Sequence, residues 1–291
     1  MEDVFELQDG VTAKVVSLIA PKLQQSDIER TRRKPTERMD AYDCFLRGMA
    51  AVMDPSKWST SEAQDWARQA IRLDPTYAAA HILCAGSIQQ KASSTGVPLS
   101  PEEQIEALEL AEHACKLAND DGAIIGRAAH IFCYIGRQYD RANALIEDAV
   151  KLNPNDARIW SLRGWITLMC NQPERAIESF EHSLVLNPMD PRRHVSWYGM
   201  AFAYFLLGNH DKGGPLAAKA VELTADAHSM AILIGHEIRA GRFEDARRHA
   251  VQLKKIRPDF RASHSPNVFP IRSPEFHQLL TAALREAGVP E

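Results

Sequence analysis

Small and apolar residues recur along this chain with a period near 34. Ala63, Ala107, Ala142, Ala176, Gly213 and Ala246 each open an apolar helix face, at steps of 44, 35, 34, 37 and 33 residues. Seven residues after each stand Ala70, Ala114, Ala149, Ser183, Ala220 and Leu253, and five further on Pro75, Asn119, Pro154, Pro188, Ala225 and Pro258. Small residues one heptad apart lie on one helix face, and a proline beyond them marks where that helix stops. A repeat of this length predicts stacked helical hairpins, because one hairpin alone cannot bury its apolar face. The expected fold is all-α: a right-handed α-solenoid of about six hairpins, with helices ahead of it and a capping helix behind.

The flanks break the period. Val4, Leu7, Val11, Val15, Leu18 and Ile19 keep three-to-four spacing, which predicts a helix ended by Pro21. A second short helix is expected from Lys22 to about Thr31. Arg30, Arg32, Arg33 and Lys34 then form a basic cluster, read as a solvated linker or as a surface for an acidic partner or phosphate. The first repeat starts near Asp40, and its first helix carries Tyr42, Phe45, Leu46 and Gly48. Ser59-Thr60-Ser61-Glu62 predicts a capping box. Ala92 to Ser100 has the composition of a loop and accounts for the 44-residue step; Ser100-Pro101-Glu102-Glu103 restarts a helix. After Pro258, a linker rich in Ser and Pro spans Ala262 to Pro270, and Ser273-Pro274-Glu275 opens a last helix ending near Gly288. The expected domains are 1–39, a helical segment and basic linker; 40–258, the repeats; and 259–291, a linker and capping helix.

Trp160, Gly164, Ala176, Phe180 and Pro188 stand at the spacings of the tetratricopeptide repeat (TPR), and Trp197, Tyr204, Gly208, Ala217 and Ala220 repeat the pattern. The stretch 40–258 therefore resembles a TPR array, with the first three repeats lacking the large aromatic at the first position. The two ends carry a narrower resemblance. Glu2–Val16, Lys34–Gly48 and Leu284–Glu291 look like segments of a bacterial family in which a class III adenylate/guanylate cyclase domain, or a winged-helix domain, precedes TPR repeats. That resemblance implies the regulatory, interaction-bearing part of a cyclase-like signalling protein, without the cyclase domain and its metal-binding carboxylates.

Composition narrows the function further. A formal net charge of -4 argues against nucleic acid or an anionic membrane as partner. Five cysteines without CxxC spacing fit buried thiols in a reducing compartment. Glu2 and Asp3 stand where a secretory leader would be basic, and the longest uncharged stretch, Val195 to Asn209, is shorter than the ~20 residues that span a bilayer. A cytoplasmic location is expected. There is no GxGxxG and no Walker-type loop. His236-Glu237-Ile238-Arg239-Ala240 lacks the second histidine of HExxH, and His194, His210, His228, His236 and His249 fall on different predicted helices. No catalytic residue, cofactor or metal is expected, and the chain is read as a non-enzyme.

In TPR arrays the first helix of each hairpin lines the concave face. Spacing from the signature positions then offers His130 and Tyr134; Arg158, Ser161, Trp165 and Met169; Tyr198, Phe202 and Phe205; and His228, Ala231 and Arg239. Aromatics edged by a few arginines suit a protein or peptide ligand, here an apolar or amphipathic segment. Trp165, Phe202 and Phe205 equally suit an inter-repeat core. The chain's own C-terminal segment, with Val268, Phe269, Ile271 and Phe276, is a further candidate occupant. The last helix, with Leu279, Leu280, Ala283 and Leu284, is expected to cap the array. Self-association through the Val4–Ile19 stripe is the alternative to a partner-binding groove.

Overall fold

The computed structural model describes residues 40–53, 59–118 and 120–291. The expected Val4–Ile19 helix, the short helix after it and the basic cluster lie outside the described residues. Among the described residues, every regular element is helical. The hairpins follow the repeat: α1 Ala41–Met53 with α2 Thr60–Leu73, α3 Ala78–Thr95 with α4 Pro101–Leu117, and α5 Gly122–Tyr134 with α6 Tyr139–Leu152. Then come α7 Ala157–Met169 with α8 Pro173–Leu186, α9 Arg193–Leu206 with α10 His210–Leu223, and α11 Ala227–Arg239 with α12 Phe243–Ile256. A 3-10 turn Ala262–His264, a single turn α13 Ser265–Val268, and α14 Pro274–Glu286 complete the chain.

Local chemistry explains the starts. Ser100 Oγ accepts from Glu103 N–H at 3.2 Å while Glu103 Oε2 accepts from Ser100 N–H at 3.0 Å, a complete capping box opening α4. At Ser59 only half of the predicted box forms: Ser59 Oγ accepts from Glu62 N–H, and the Glu62 carboxylate accepts from Trp66 Nε1–H instead. Asp121 and Asp226 cap α5 and α11 through two backbone N–H groups each.

Two expectations about loops are corrected. Ala92–Thr95 is the last turn of α3, so the insertion lengthens that helix and leaves only 96–100 as loop. Residues 262–270 are not an open linker. They coil into two short turns, and Val268, Phe269, Pro270 and Ile271 are buried, since their apolar side chains pack rather than face water.

The turn inside each of the last four hairpins carries a second periodic feature. Arg137 (φ 53°), Asn171 (φ 61°), Gly208 (φ 66°) and Gly241 (φ 73°) all adopt the left-handed conformation. Each stands five residues before the small residue that opens the next helix face, so the hairpin requires this backbone at that position.

The chain divides into two compact units. One comprises the described residues up to Lys91 together with those of Leu99–Ile159; the other comprises Ala92–Pro98 and Trp160–Glu291. In the first unit, Ala63, Ala67 and Ala70 on α2, Ala107, Ala111 and Ala114 on α4, and Ala142, Ile146 and Ala149 on α6 are fully buried. Small side chains let helices approach: a Cβ on Gly48 would come 2.8 Å from Leu83 Cδ2 and 3.2 Å from the Ala63 carbonyl oxygen. In the second unit the Phe180 ring is fully buried in a slot between Gly164 and Gly199, whose added Cβ atoms would fall 2.6 and 2.5 Å from it. That slot is why glycine stands at both positions.

Candidate functional site

The first helices of the last three hairpins, α7, α9 and α11, hold most of the candidate residues, and from Trp160 onward these helices belong to the second unit. Trp165 of α7 lies edge-on to Phe180 (5.5 Å between centroids), and against Tyr198 (5.2 Å) and Phe202 (6.2 Å) of α9. Tyr198 stacks on His228 of α11 at 6.1 Å. Trp165, Tyr198 and His228 are half-buried. The structure therefore gathers these four aromatic side chains of α7, α9 and α11 into one continuous face.

That face is occupied by the chain itself. Phe269 packs on Phe202 at 4.4 Å and on His228 at 5.4 Å. Phe276 lies 5.8 Å from both Phe202 and Phe205. Arg272 N–H donates to the Met169 carbonyl oxygen at 2.8 Å. A Cβ on Gly235 of α11 would come 2.9 Å from Leu280 of α14. Met169, Phe202 and Phe205, placed by spacing on an exposed groove, are consequently core residues, with Phe202 0% exposed, and Ala231 is fully buried beside them. The reason is coverage: their side chains do project from the inner helices, but residues 268–284 remove them from water. The last helix accordingly does more than cap an end. Its Phe276, Leu280, Ala283 and Leu284 are buried while Glu275, Gln278, Arg285 and Glu286 are exposed.

The remaining candidates lie outside this face. His130 and Tyr134 lie on α5 in the first unit, both buried, with His130 Nδ1 3.2 Å from Gln89 Oε1. Burial, helped by the Arg127 charge, pulls the His130 imidazole down to about 3, and burial raises the Tyr134 phenol. Neither residue is on an open surface. Arg158, also in the first unit, is exposed, as is Arg239 at the end of α11. Ser161 is half-buried.

Several histidine contacts were invisible to spacing along the chain. His236, 0% exposed, donates from Nε2–H to the Ala201 carbonyl at 2.9 Å, so its Nδ1 is the acceptor for His210 Nδ1–H at 3.0 Å. Burial pulls the His236 imidazole down to about 4. Its ring rests on Gly213, where a Cβ would fall 2.1 Å from Cε1, which explains why glycine interrupts the series of alanines at that repeat position. His249 Nδ1–H donates to Glu237 Oε2 at 2.8 Å; burial raises the Glu237 carboxyl, against the pull of His249. Burial also pushes the Asp226 carboxyl up, but hydrogen bonds from His228 and Ser229 overcome it and hold the group at about 2. His228 Nε2–H further donates to the Ser93 carbonyl oxygen at 3.1 Å, and the Arg257 guanidinium holds the carbonyls of Ser94 and Thr95. These are internal ties. Among the described residues, no group of three or more His, Cys, Asp or Glu is arranged to hold a metal, and no helix is long and apolar enough to cross a membrane.

Comparison with known proteins agrees on the fold. The structure resembles the crystal structure of the APC/C hetero-tetramer Cut9–Hcn1, with a TM-score of 0.62 and 17% identity over 90% of this chain and 46% of that one. It also resembles TTC0263, a TPR protein of Thermus thermophilus, with a TM-score of 0.54 and 15% identity over 69% of this chain and 98% of that one. The chain therefore has the helical-hairpin fold of TPR proteins. In sequence it is 30% identical over 119 residues to a Rhizobium meliloti protein that carries the name adenylate cyclase 3, covering 39% of this chain and 19% of that protein. It is 28% identical over 190 residues to the type IV pilus assembly protein PilF of Pseudomonas aeruginosa, covering 65% and 67% of the two. The chain thus spans about a fifth of the cyclase relative. No protein-family model matches it.

Proposed function

We propose that this chain is a protein-interaction module without catalytic chemistry of its own, the regulatory TPR region of a cyclase-like signalling protein acting in the cytoplasm. The observation that carries the reading is the TPR fold with a continuous aromatic face across α7, α9 and α11. Stacked hairpins present such surfaces to other chains. The likeness to PilF, a protein named for assembly, and to a protein named as an adenylate cyclase supports the setting. The partner surface expected is a protein or peptide segment of apolar or amphipathic character, since rigid rings supply contact area at low entropic cost.

Size-exclusion light scattering of the tagged full chain with the proteins it retains from its own cells tests this reading. A stoichiometric complex of defined mass is expected. A chain that retains nothing at micromolar concentration, or that turns over a nucleotide in a substrate panel, overturns it.

A further inference from the structure

Residues 260–291 dock on the inner helices in the way a peptide ligand docks. The contact is made by side chains in line: Phe269 on Phe202 and His228, then Phe276 on Phe202 and Phe205. Arg272 N–H supplies a main-chain tie to Met169 on α7. The tail also bonds to itself. Ala262 N–H donates to the Pro290 carbonyl at 2.8 Å, Thr281 Oγ1–H to the Ala262 carbonyl at 3.3 Å, and His277 Nε2–H to the Ile271 carbonyl at 2.9 Å. It is thus a small closed module, joined to α12 through the exposed Pro258–Asp259 link. Between its two turns and α14, the chain from Phe269 to Ser273 is irregular, and Ile271 and Ser273 bond only two residues back. A short non-helical stretch that fills a face with rings and an aliphatic side chain is the form a linear motif takes in a groove.

We propose that residues 268–276 are a resident pseudo-ligand, and that the face of α7, α9 and α11 takes an extended partner peptide with the aromatic–proline–aliphatic core of Phe269-Pro270-Ile271. The proposal rests on the interaction-module reading and names its ligand chemistry. Because the tail is tethered, its effective concentration at the face is of millimolar order. A free peptide of the same chemistry therefore competes poorly until the tail is weakened, and its apparent affinity rises with the fraction of chains whose face is open. Partner binding and tail release are then one equilibrium.

The probe is a fluorescent peptide of residues 263–276, titrated by anisotropy against three full-length chains: wild type, Phe269→Ala, and a chain with a protease site placed at the Pro258–Asp259 link and then cut. The Phe269→Ala and cut chains are expected to bind the probe at least tenfold more tightly than wild type, with unchanged helicity. Equal binding across folded chains overturns the proposal and makes the tail permanent core. If Phe269→Ala loses its helicity, the cut chain decides alone, and a folded cut chain that takes up no probe overturns it. The interaction-module reading fails separately. A natural partner captured regardless of added 263–276 peptide sinks the pseudo-ligand and spares the module; probe uptake by a chain that captures no partner does the reverse.

Discussion

The two compact units are built from the same hairpin with different cores. The first packs small residues: alanines at the repeat positions of α2, α4 and α6, with Phe132 the large ring fully buried there. The second packs rings, with Phe180, Phe202 and Phe276 fully buried and Trp165, Trp197, Tyr198 and Tyr204 against the same core. Small residues bring backbones close and leave little to protrude. Rings fill wide gaps and leave an aromatic face over, which in this chain the C-terminal tail covers. The clearest repeats thus build the Trp165–Tyr198–Phe202–His228 face, while the rings of the first unit gather in a smaller cluster of Tyr42, Phe45 and Tyr77.

Removing the ring that organises the second core should have the largest effect. Phe180→Ala is expected to cost about 3–5 kcal/mol in denaturant unfolding, because rigid glycine walls cannot collapse into the space. A loss under about 1 kcal/mol would mean that the slot closes. Trp160 does not serve this role: it is half-buried against His182 at 4.1 Å with Arg163 over it, so it should matter less than an interior ring.

Acid acts on both units. His130 and His236 are held near 3 and 4, below the unfolded value of about 6.5, so the folded chain keeps them neutral. Their contribution is fully present above about pH 6.5 and is lost as pH falls from there toward 4, because the unfolded chain binds the extra protons. Each should cost up to about 1.4 kcal/mol per pH unit in that window. Thermal melts from pH 7 to 4.5 check this, and His236→Asn should flatten the slope of the second unit alone. An unchanged slope would refute the assignment.

Gly213→Ala should destabilise by about 1–3 kcal/mol even though alanine favours helix, since its Cβ meets the His236 ring. The penalty should shrink in a His236→Ala background, which a double-mutant cycle measures. Purely additive losses would disprove the contact. Smaller still, Arg137→Gly should gain up to about 1 kcal/mol in the first unit by relieving a left-handed arginine. Arg68 and Glu106, a bidentate pair at 38% and 39% exposure, should couple by under about 1 kcal/mol.

Spacing in the chain was enough to place every hairpin, because small residues at the crossing points are a local requirement that repeats. Gly164 and Phe180 were legible as signature positions for the same reason, and the structure shows that they touch. The left-handed turn was legible at Gly208 but not at Arg137, where a side chain with no turn preference occupies the same backbone. The candidate face was half legible. Position named Trp165, Tyr198, Phe202 and His228 as inner-helix residues, and it named Phe269 and Phe276 as adhesive. It offered the meeting of the two sets as one of several occupancies without choosing among them, and it did not say that His210 and His236 share a hydrogen bond.

By itself, then, the sequence determined the helices, their pairing and the residues that project inward, since helix period and hairpin contacts act over a few tens of residues. Only the tertiary structure decided which of those residues meet water. Burial of Met169, Phe202 and Phe205 depends on a tail some 65 to 100 residues further along the chain, and no local pattern records where a distant apolar segment will come to rest.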